Sequence, residues 1–254
     1  MRAILLCAGF ATRLQPLTLT TAKPLLPVDG VPVVEHLLDS LCEGPVDAVT
    51  MVVNTRFRDD FVGWHAGLGE RYRRLRIDVL DNGVSSASER RGAIGDLLFA
   101  LRRTEGDDPI VVAAGDNLFQ IDFGLLWDDV ARSPGSVILV YRESDPSRLR
   151  RTGVAEMDDT GRVIRLVEKP ASPSSEWACP ALYVLSREAQ ELVEVYVDET
   201  GRTDNLGEYI GWLAERAPVF GHRMSGERWD IGDRESYDHA ETWLKAMRRD
   251  RADA

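Results

Sequence analysis

The stretch Met1-Arg-Ala-Ile-Leu-Leu-Cys7-Ala8-Gly9-Phe10-Ala11-Thr12-Arg13-Leu14-Gln15-Pro16-Leu17-Thr18, followed by Ala22-Lys23-Pro24-Leu25-Leu26-Pro27-Val28, decides the fold. Ala3 to Cys7 is an uninterrupted apolar run, the pattern of a strand buried on both faces of a parallel sheet. The run stops at Ala8-Gly9, and a loop of small residues follows. Small residues let backbone N–H groups come close to an anion. Arg13 adds a planar guanidinium matched to phosphate oxygens, and Lys23 adds a compact charge. Together these features read as a cradle for a triphosphate. The loop is not a dinucleotide fingerprint, because the G-x-G-x-x-G spacing is missing. It is not a P-loop either, because no Gly-Lys-Ser/Thr closes it.

The same residues resemble the opening of the sugar-nucleotide pyrophosphorylases, the nucleotidyltransferases that join a nucleoside triphosphate to a sugar 1-phosphate. Their pattern reads roughly A-G-x-G-T-R-L-x-P-L-T, then P-K-P-L-L-P-V. Ala11 stands here for the second glycine, and Ala22 for the proline before the lysine. The resemblance runs from Ala3 to about Leu244 and is to the single-domain members without a C-terminal β-helix extension. It implies the nucleotide-diphospho-sugar transferase fold.

A chain of 254 residues with 44% hydrophobic content fits one domain with a sizeable core. A net charge of −11 argues against nucleic acid or an anionic membrane as partner. An acidic protein that handles triphosphates must gather its positive charge locally. The only lysines among 31 basic residues are Lys23, Lys169 and Lys245, and the first two precede proline. Where arginine is the default, a retained lysine hints at a need for a compact ammonium. Cys7, Cys42 and Cys179 are odd in number and lack metal or disulfide spacing, so they read as free thiols. The N-terminal run is too short for a secretory signal, and no segment nears the roughly 18 apolar residues of a membrane span. The sequence reads as a soluble, cytoplasmic protein.

Alternating periodicities organise the first half. Strands are expected at Val46 to Val53, Ile77 to Leu80, Ile110 to Ala114 and Val137 to Tyr141. Helices are expected from Pro32 through Leu41, Arg58 to about Leu68, Ala93 to Leu101, and Phe123 to Ala131, the last capped by Asp122. Asp29-Gly30 reads as a turn. This alternation predicts an α/β fold, a Rossmann-like doubly wound mixed sheet. The second half breaks the rhythm. Val154 to Met157 and Arg162 to Val167 flank an Asp158-Asp159-Thr160-Gly161 turn, a hairpin signal, and Pro180 to Leu185 is a further strand. Helices follow at Glu188 to Tyr196, Leu206 to Arg216 and Arg234 to Arg249. One domain, 1–254, is expected. Residues 1–142 would mainly bind nucleotide, and 143–254 would form a β-rich sugar-binding lobe with the C-terminal helices.

Ile110 to Ala114 ends in Gly115-Asp116-Asn117. Ligands of open α/β sheets bind at the carboxyl ends of strands, where a carboxylate can hold Mg²⁺ beside phosphates. Taken alone, the triplet also reads as a plain turn. Glu168-Lys169-Pro170 follows a strand, and by itself is an exposed charge pair. The resemblance assigns roles. It implies that Asp116 is a metal ligand. Trp229-Asp230-Ile231-Gly232, which resembles a slightly contracted W-x-D-x-G motif, would supply the second in Asp230. Glu168 and Lys169 would hold the sugar 1-phosphate, with Gly153 beside the sugar. Ala8, Gly9, Phe10, Ala11, Thr12 and Arg13 would hold the nucleotide, with Arg13, Lys23 and Lys169 catalytic. Gly92, opening a helix, resembles the glycine of the base-binding segment L-G-T-A-G, and Asn82 is a second candidate base contact. Asn82 fits a plain loop-to-helix junction equally well.

The expected reaction is Mg²⁺-dependent transfer of NMP from an NTP to a sugar 1-phosphate, releasing pyrophosphate. A homo-oligomer is the family habit. Two rivals stand beside it. A glycosyltransferase would not need Arg13 and Lys23 and usually shows Asp-x-Asp. A non-catalytic nucleotide or sugar-phosphate sensor would not need the full set of charged residues. His36, His65, His222 and His239 form no ligand spacing, and no nucleophile elbow is present.

Overall fold

The structure, a computed structural model, describes residues 1–104 and 106–252; the side chains of Gln120, Glu227, Asp230 and residues 246–252 fall outside that description. The first half runs β1 (Arg2–Leu6), β2 (Pro27–Val28), β3 (Val31–Pro32), α1 (Val33–Cys42), β4 (Ala48–Val53), α2 (Arg58–Gly67) and β5 (Arg76–Asp81). Then come α3 (Ala93–Leu101), β6 (Ile110–Ala114), β7 (Asn117–Gln120), α4 (Phe123–Arg132) and β8 (Ser136–Arg142). The second half holds α5 (Pro146–Leu149), β9 (Gly153–Met157), β10 (Val163–Glu168), β11 (Trp177–Cys179) and β12 (Leu182–Leu185). It ends with α6 (Arg187–Thr200), α7 (Leu206–Ala214), β13 (Val219–Arg223), β14 (Glu227–Asp230) and α8 (Arg234–Ala252).

Ten strands form one mixed sheet. Strands β5, β4, β1 and β6 lie side by side and parallel. Their inward residues are the apolar runs of the sequence, and Ala3, Ile4 and Leu5 of β1 are buried. β12 enters antiparallel between β6 and β8, and β13 runs parallel to β8. Helices cover both faces. One core packs Leu37, Leu41, Phe61, Phe123 and Leu126 of α1, α2 and α4 against the sheet. The other packs Leu97, Val193, Tyr209 and Leu213 of α3, α6 and α7. Burial of so many large side chains, each worth roughly 1.5–3 kcal/mol, is the main drive to this arrangement. The doubly wound sheet follows the expected alternation, and β8 of the first half sits among strands of the second.

The sheet forks beside Pro180. Ala178 faces Tyr141 and Tyr183 faces Ile138, so the strand β11–β12 uses two more residues than β8 does. Pro180 cannot donate to a ladder, and the bulge falls there. Beyond β8, β11 pairs with β9 whereas β12 pairs with β6. The expected strand at Pro180 to Leu185 therefore starts later, at Leu182. A small separate core, with Leu14, Leu26, Leu118, Ile231 and Ala240, joins the loop after β1 to β7, β14 and α8.

Candidate active site

An open cleft of about 1180 Å³ lies in the fork. Cys179, Pro180 and Ala181 line it, together with Arg13, Asp116, Gly153, Glu168 and Lys169. Residues read from distant parts of the sequence thus converge on one cleft at the carboxyl end of β6.

The loop after β1 is held from below. The buried Asn54 amide donates to the Ala8 carbonyl at 3.0 Å, and Thr18 Oγ1 donates to the Ala11 carbonyl at 2.8 Å. Leu14 is buried and anchors a short 3₁₀ turn, Thr12–Leu14, so Arg13 faces outward. Among the described residues, no amide of Ala8 to Thr12 donates to a protein acceptor. That leaves a run of N–H groups suited to an anion. Ala11 adopts φ 44°, ψ 46°, the left-handed conformation in which a glycine is at ease.

Lys23 Nζ donates to Asp116 Oδ2 at 2.6 Å, and Asn117 Nδ2 donates to Oδ1 at 3.0 Å. Lys23 is largely buried, and it reaches the cleft through Asp116. The side chain of Asp230, the other expected metal ligand, lies outside the described residues. Its backbone pairs with Asn117 across β7 and β14, and Ile231 N–H donates to the Asp116 carbonyl. Asp116 and Asp230 are therefore neighbours along a two-stranded ribbon. Carboxylate oxygens are the donors Mg²⁺ prefers, so the residue types here fit that ion.

Glu168 and Lys169 lie at the end of β10. Lys169 Nζ is 3.3 Å from Glu168 Oε1. Lys169 sits at φ 48°, a strained region for a side-chain-bearing residue. Its N–H donates to the Thr152 carbonyl, which ties the strained residue to the strand beside Gly153. A Cβ on Gly207 would come within 2.1 Å of Glu168 Oε2, and one on Gly153 within 3.2 Å. Two glycines thus make room for this carboxylate, one of them in the first turn of α7, where negative charge is favoured.

Asn82 and Gly92 behave differently from the other expected contacts. The Asn82 side chain is buried, donates to Asp96 Oδ1 at 2.8 Å and accepts from Val84 N–H at 2.9 Å. Its polar atoms are engaged within the protein, the arrangement of a loop-to-helix junction. Burial pushes the Asp96 carboxyl above its ordinary range, against the opposing Asn82 bond. Gly92 has φ 79°, and a Cβ there would meet the Thr203 carbonyl oxygen at 2.3 Å. The first N–H groups of α3 donate to the Thr203 and Asp204 carbonyls. The close backbone approach at Gly92 is therefore to the protein's own chain. Ala93, Asp204 and Asn205, beside this junction, do line the cleft.

Sequence reading missed several cleft residues. Arg148, Arg150 and Arg151 line it from the segment of α5, and Arg228 from β14. The run Arg148-Leu149-Arg150-Arg151 carried a charge signal only. For Arg228 the signal was its position two before Asp230, on the same face of a strand. Cys7 and Cys179 are buried, and burial pushes both thiols up, with Asp116 and Glu168 respectively adding to the effect. Neither is a poised nucleophile. Asp158, nearest to an Asp-x-Asp signature, accepts from Thr160 and Arg162 N–H groups inside its own turn. No helix among the described residues is long and apolar enough to cross a membrane.

The chain matches the nucleotidyl transferase family over residues 2–246. It is 30% identical over 220 residues to a glucose-1-phosphate thymidylyltransferase of Streptomyces griseus, covering 85% of this chain and 58% of that protein. It is 26% identical over 248 residues to a UTP–glucose-1-phosphate uridylyltransferase of Haloferax volcanii, covering 96% and 97%. The chain spans about half the length of several other relatives it matches. Its fold superposes on UDP-glucose pyrophosphorylase complexed with UDP-glucose with a TM-score of 0.78 at 18% identity, covering 97% and 98% of the two chains. The architecture is that of the nucleotide-diphospho-sugar transferases. With nearly the whole length matched, the chain belongs to the nucleotidyl transferase family.

Proposed function

We propose that this protein transfers NMP from an NTP to a sugar 1-phosphate, giving NDP-sugar and pyrophosphate. The observation that carries the reading is the shared cleft lined by Arg13, Asp116, Glu168 and Lys169. Residues 1–142 serve mainly the nucleotide and residues 143–254 mainly the sugar phosphate. An oxygen of the sugar phosphate attacks the α-phosphorus in line. The new P–O bond forms as the bond to the bridging oxygen of pyrophosphate breaks, and the electron pair leaves with pyrophosphate.

In this reading Arg13 and the Ala8–Thr12 amides hold the triphosphate and neutralise charge on the leaving group. Lys169 orients the attacking phosphate, and Glu168 accepts hydrogen bonds from sugar hydroxyls. Lys23 lies at the Asp116 carboxylate, beside the α-phosphate. Asp116 and Asp230 hold Mg²⁺, which when bound supplies further positive charge to the phosphate oxygens. Catalysis rests on positioning and charge, with no covalent intermediate. The relatives named for glucose 1-phosphate with a thymidylyl or uridylyl group support dTTP and UTP as the first nucleotides to try.

The reverse reaction tests this. With pyrophosphate and Mg²⁺, a panel of NDP-hexoses is expected to yield NTP and hexose 1-phosphate, resolved by ion-exchange chromatography. Hydrolysis to NDP and free sugar instead would favour a glycosyltransferase-like activity and count against the reading.

A further inference from the structure

We infer that Arg228 is a positioning residue, which acts through Asn117 to fix the orientation of the Asp116 carboxylate. This rests on the proposed role of Asp116 as a metal ligand. Arg228 Nε and Nη2 both donate to Asn117 Oδ1, at 2.9 and 2.6 Å. Arg228 Nη1 also donates to the Tyr141 hydroxyl at 3.3 Å. Asn117 Nδ2 donates in turn to Asp116 Oδ1.

The chemistry of these groups admits one orientation. A guanidinium has donors only, so the Asn117 atom facing it must be the oxygen. The amide N–H₂ must then face Asp116, whose ionised carboxylate only accepts. Without Arg228, a flipped Asn117 would set its oxygen against the carboxylate. Asn117 is 3% exposed, so with the guanidinium covering it its amide oxygen relies on protein donors. The ribbon makes the link short: Arg228 pairs with Phe119 and Asp230 with Asn117 across β7 and β14. Arg228 also occupies the place of the tryptophan in an uncontracted W-x-D motif ending at Asp230. A charged relay thus stands where the resembled pattern has an aromatic ring.

The test reads metal binding without turnover. Mn²⁺ is titrated into the full chain and free hydrated Mn²⁺ is followed by electron paramagnetic resonance, with and without dTTP. Arg228→Leu is expected to raise the Mn²⁺ dissociation constant about tenfold, a loss of ~1.4 kcal/mol. Arg228→Lys, which keeps a donor for Asn117, should recover most of it. Asn117→Ser should match Arg228→Leu, and the double variant should be no worse than either, because both cut one link. In turnover assays kcat should fall while KM for NTP stays within twofold. Should Arg228→Leu fail to fold, the cycle runs with Arg228→Met, which also has no donor for Asn117, and the same criterion. Additive losses in the double variant, unchanged Mn²⁺ affinity in Arg228→Leu, or no Mn²⁺ binding by the parent would each overturn the inference. Intact Mn²⁺ behaviour with no NDP-sugar chemistry would instead leave this inference standing and remove the proposed reaction.

Discussion

At the residue scale, Arg13 and Lys169 show two ways a side chain is aimed. Arg13 projects because Leu14 is buried behind it. Arg13→Ala is expected to lose roughly 3 kcal/mol of transition-state stabilisation, about 100-fold in kcat/KM, with an unchanged thermal midpoint; near-normal turnover would remove Arg13 from the site. Lys169 projects because its backbone is held at φ 48°. A left-handed non-glycine residue costs about 1–2 kcal/mol, and strain of this kind collects at functional positions. Lys169→Gly relieves that strain and increases the entropy of the unfolded chain by a somewhat smaller amount. The variant should therefore match or exceed the parent in stability by up to about 1 kcal/mol while losing about 100-fold in turnover. A urea titration beside a rate assay checks both, and a clearly destabilised variant would mean the conformation is not strained. Ala11 carries the same left-handed backbone. Its replacement of the pattern's glycine was plain in the sequence, but its conformation was not, because alanine gives no local signal for positive φ.

At the scale of elements, the legible parts were those whose signal is apolar periodicity. β1, β4, β6, α1 and α3 fall within a residue or two of expectation. β13 and β14 went unread. Val219-Phe-Gly-His-Arg223 has a glycine in mid-strand, where a Cβ would meet Met157 Sδ at 2.2 Å. Glu227-Arg-Trp-Asp230 has almost no apolar content and exists as a strand through its partner β7. Glu168 was legible by its triplet, but the glycine that admits it, Gly207 on α7, was not. Gly207→Ala should displace the carboxylate and raise KM for sugar 1-phosphate about tenfold, ~1.4 kcal/mol, with KM for NTP within twofold. A change confined to NTP would mean that α7 faces the nucleotide. Between α4 and β13, His222 Nδ1 lies 2.7 Å from Asp129 Oδ2. The His222 hydrogen bond, more than Arg132, holds the Asp129 carboxyl below its ordinary value of 3.8, against a smaller effect of burial. A depressed folded value adds stability above the unfolded one, and that stability is lost as pH falls through the folded value. Asp129→Asn should therefore show a smaller drop in unfolding free energy between pH 6 and pH 3, set by urea denaturation at each pH; an equal drop would separate this pair from acid lability.

At the scale of the whole molecule, the sequence order of the site conceals its geometry. Lys23 and Asp116 are 93 positions apart and make one ion pair, because β1 and β6 are adjacent parallel strands. Strand order of this kind follows from long-range packing, and local residue patterns do not encode it. The fork beside Pro180 was likewise hidden: Pro180 and Ala181 read as the first residues of a strand, and only the exchange of partners from β9 to β6 opens the cleft there. The central claim is that this cleft joins a nucleotide to a sugar phosphate. Its most direct test is pyrophosphate release by the purified chain with Mg²⁺, in a matrix of dTTP, UTP, GTP, ATP and CTP against hexose and heptose 1-phosphates. Release that requires both substrates in at least one pairing, and falls about 100-fold in Arg13→Ala, is the expected result. A folded protein that releases no pyrophosphate in any pairing, or releases it equally without a sugar 1-phosphate, would contradict the account.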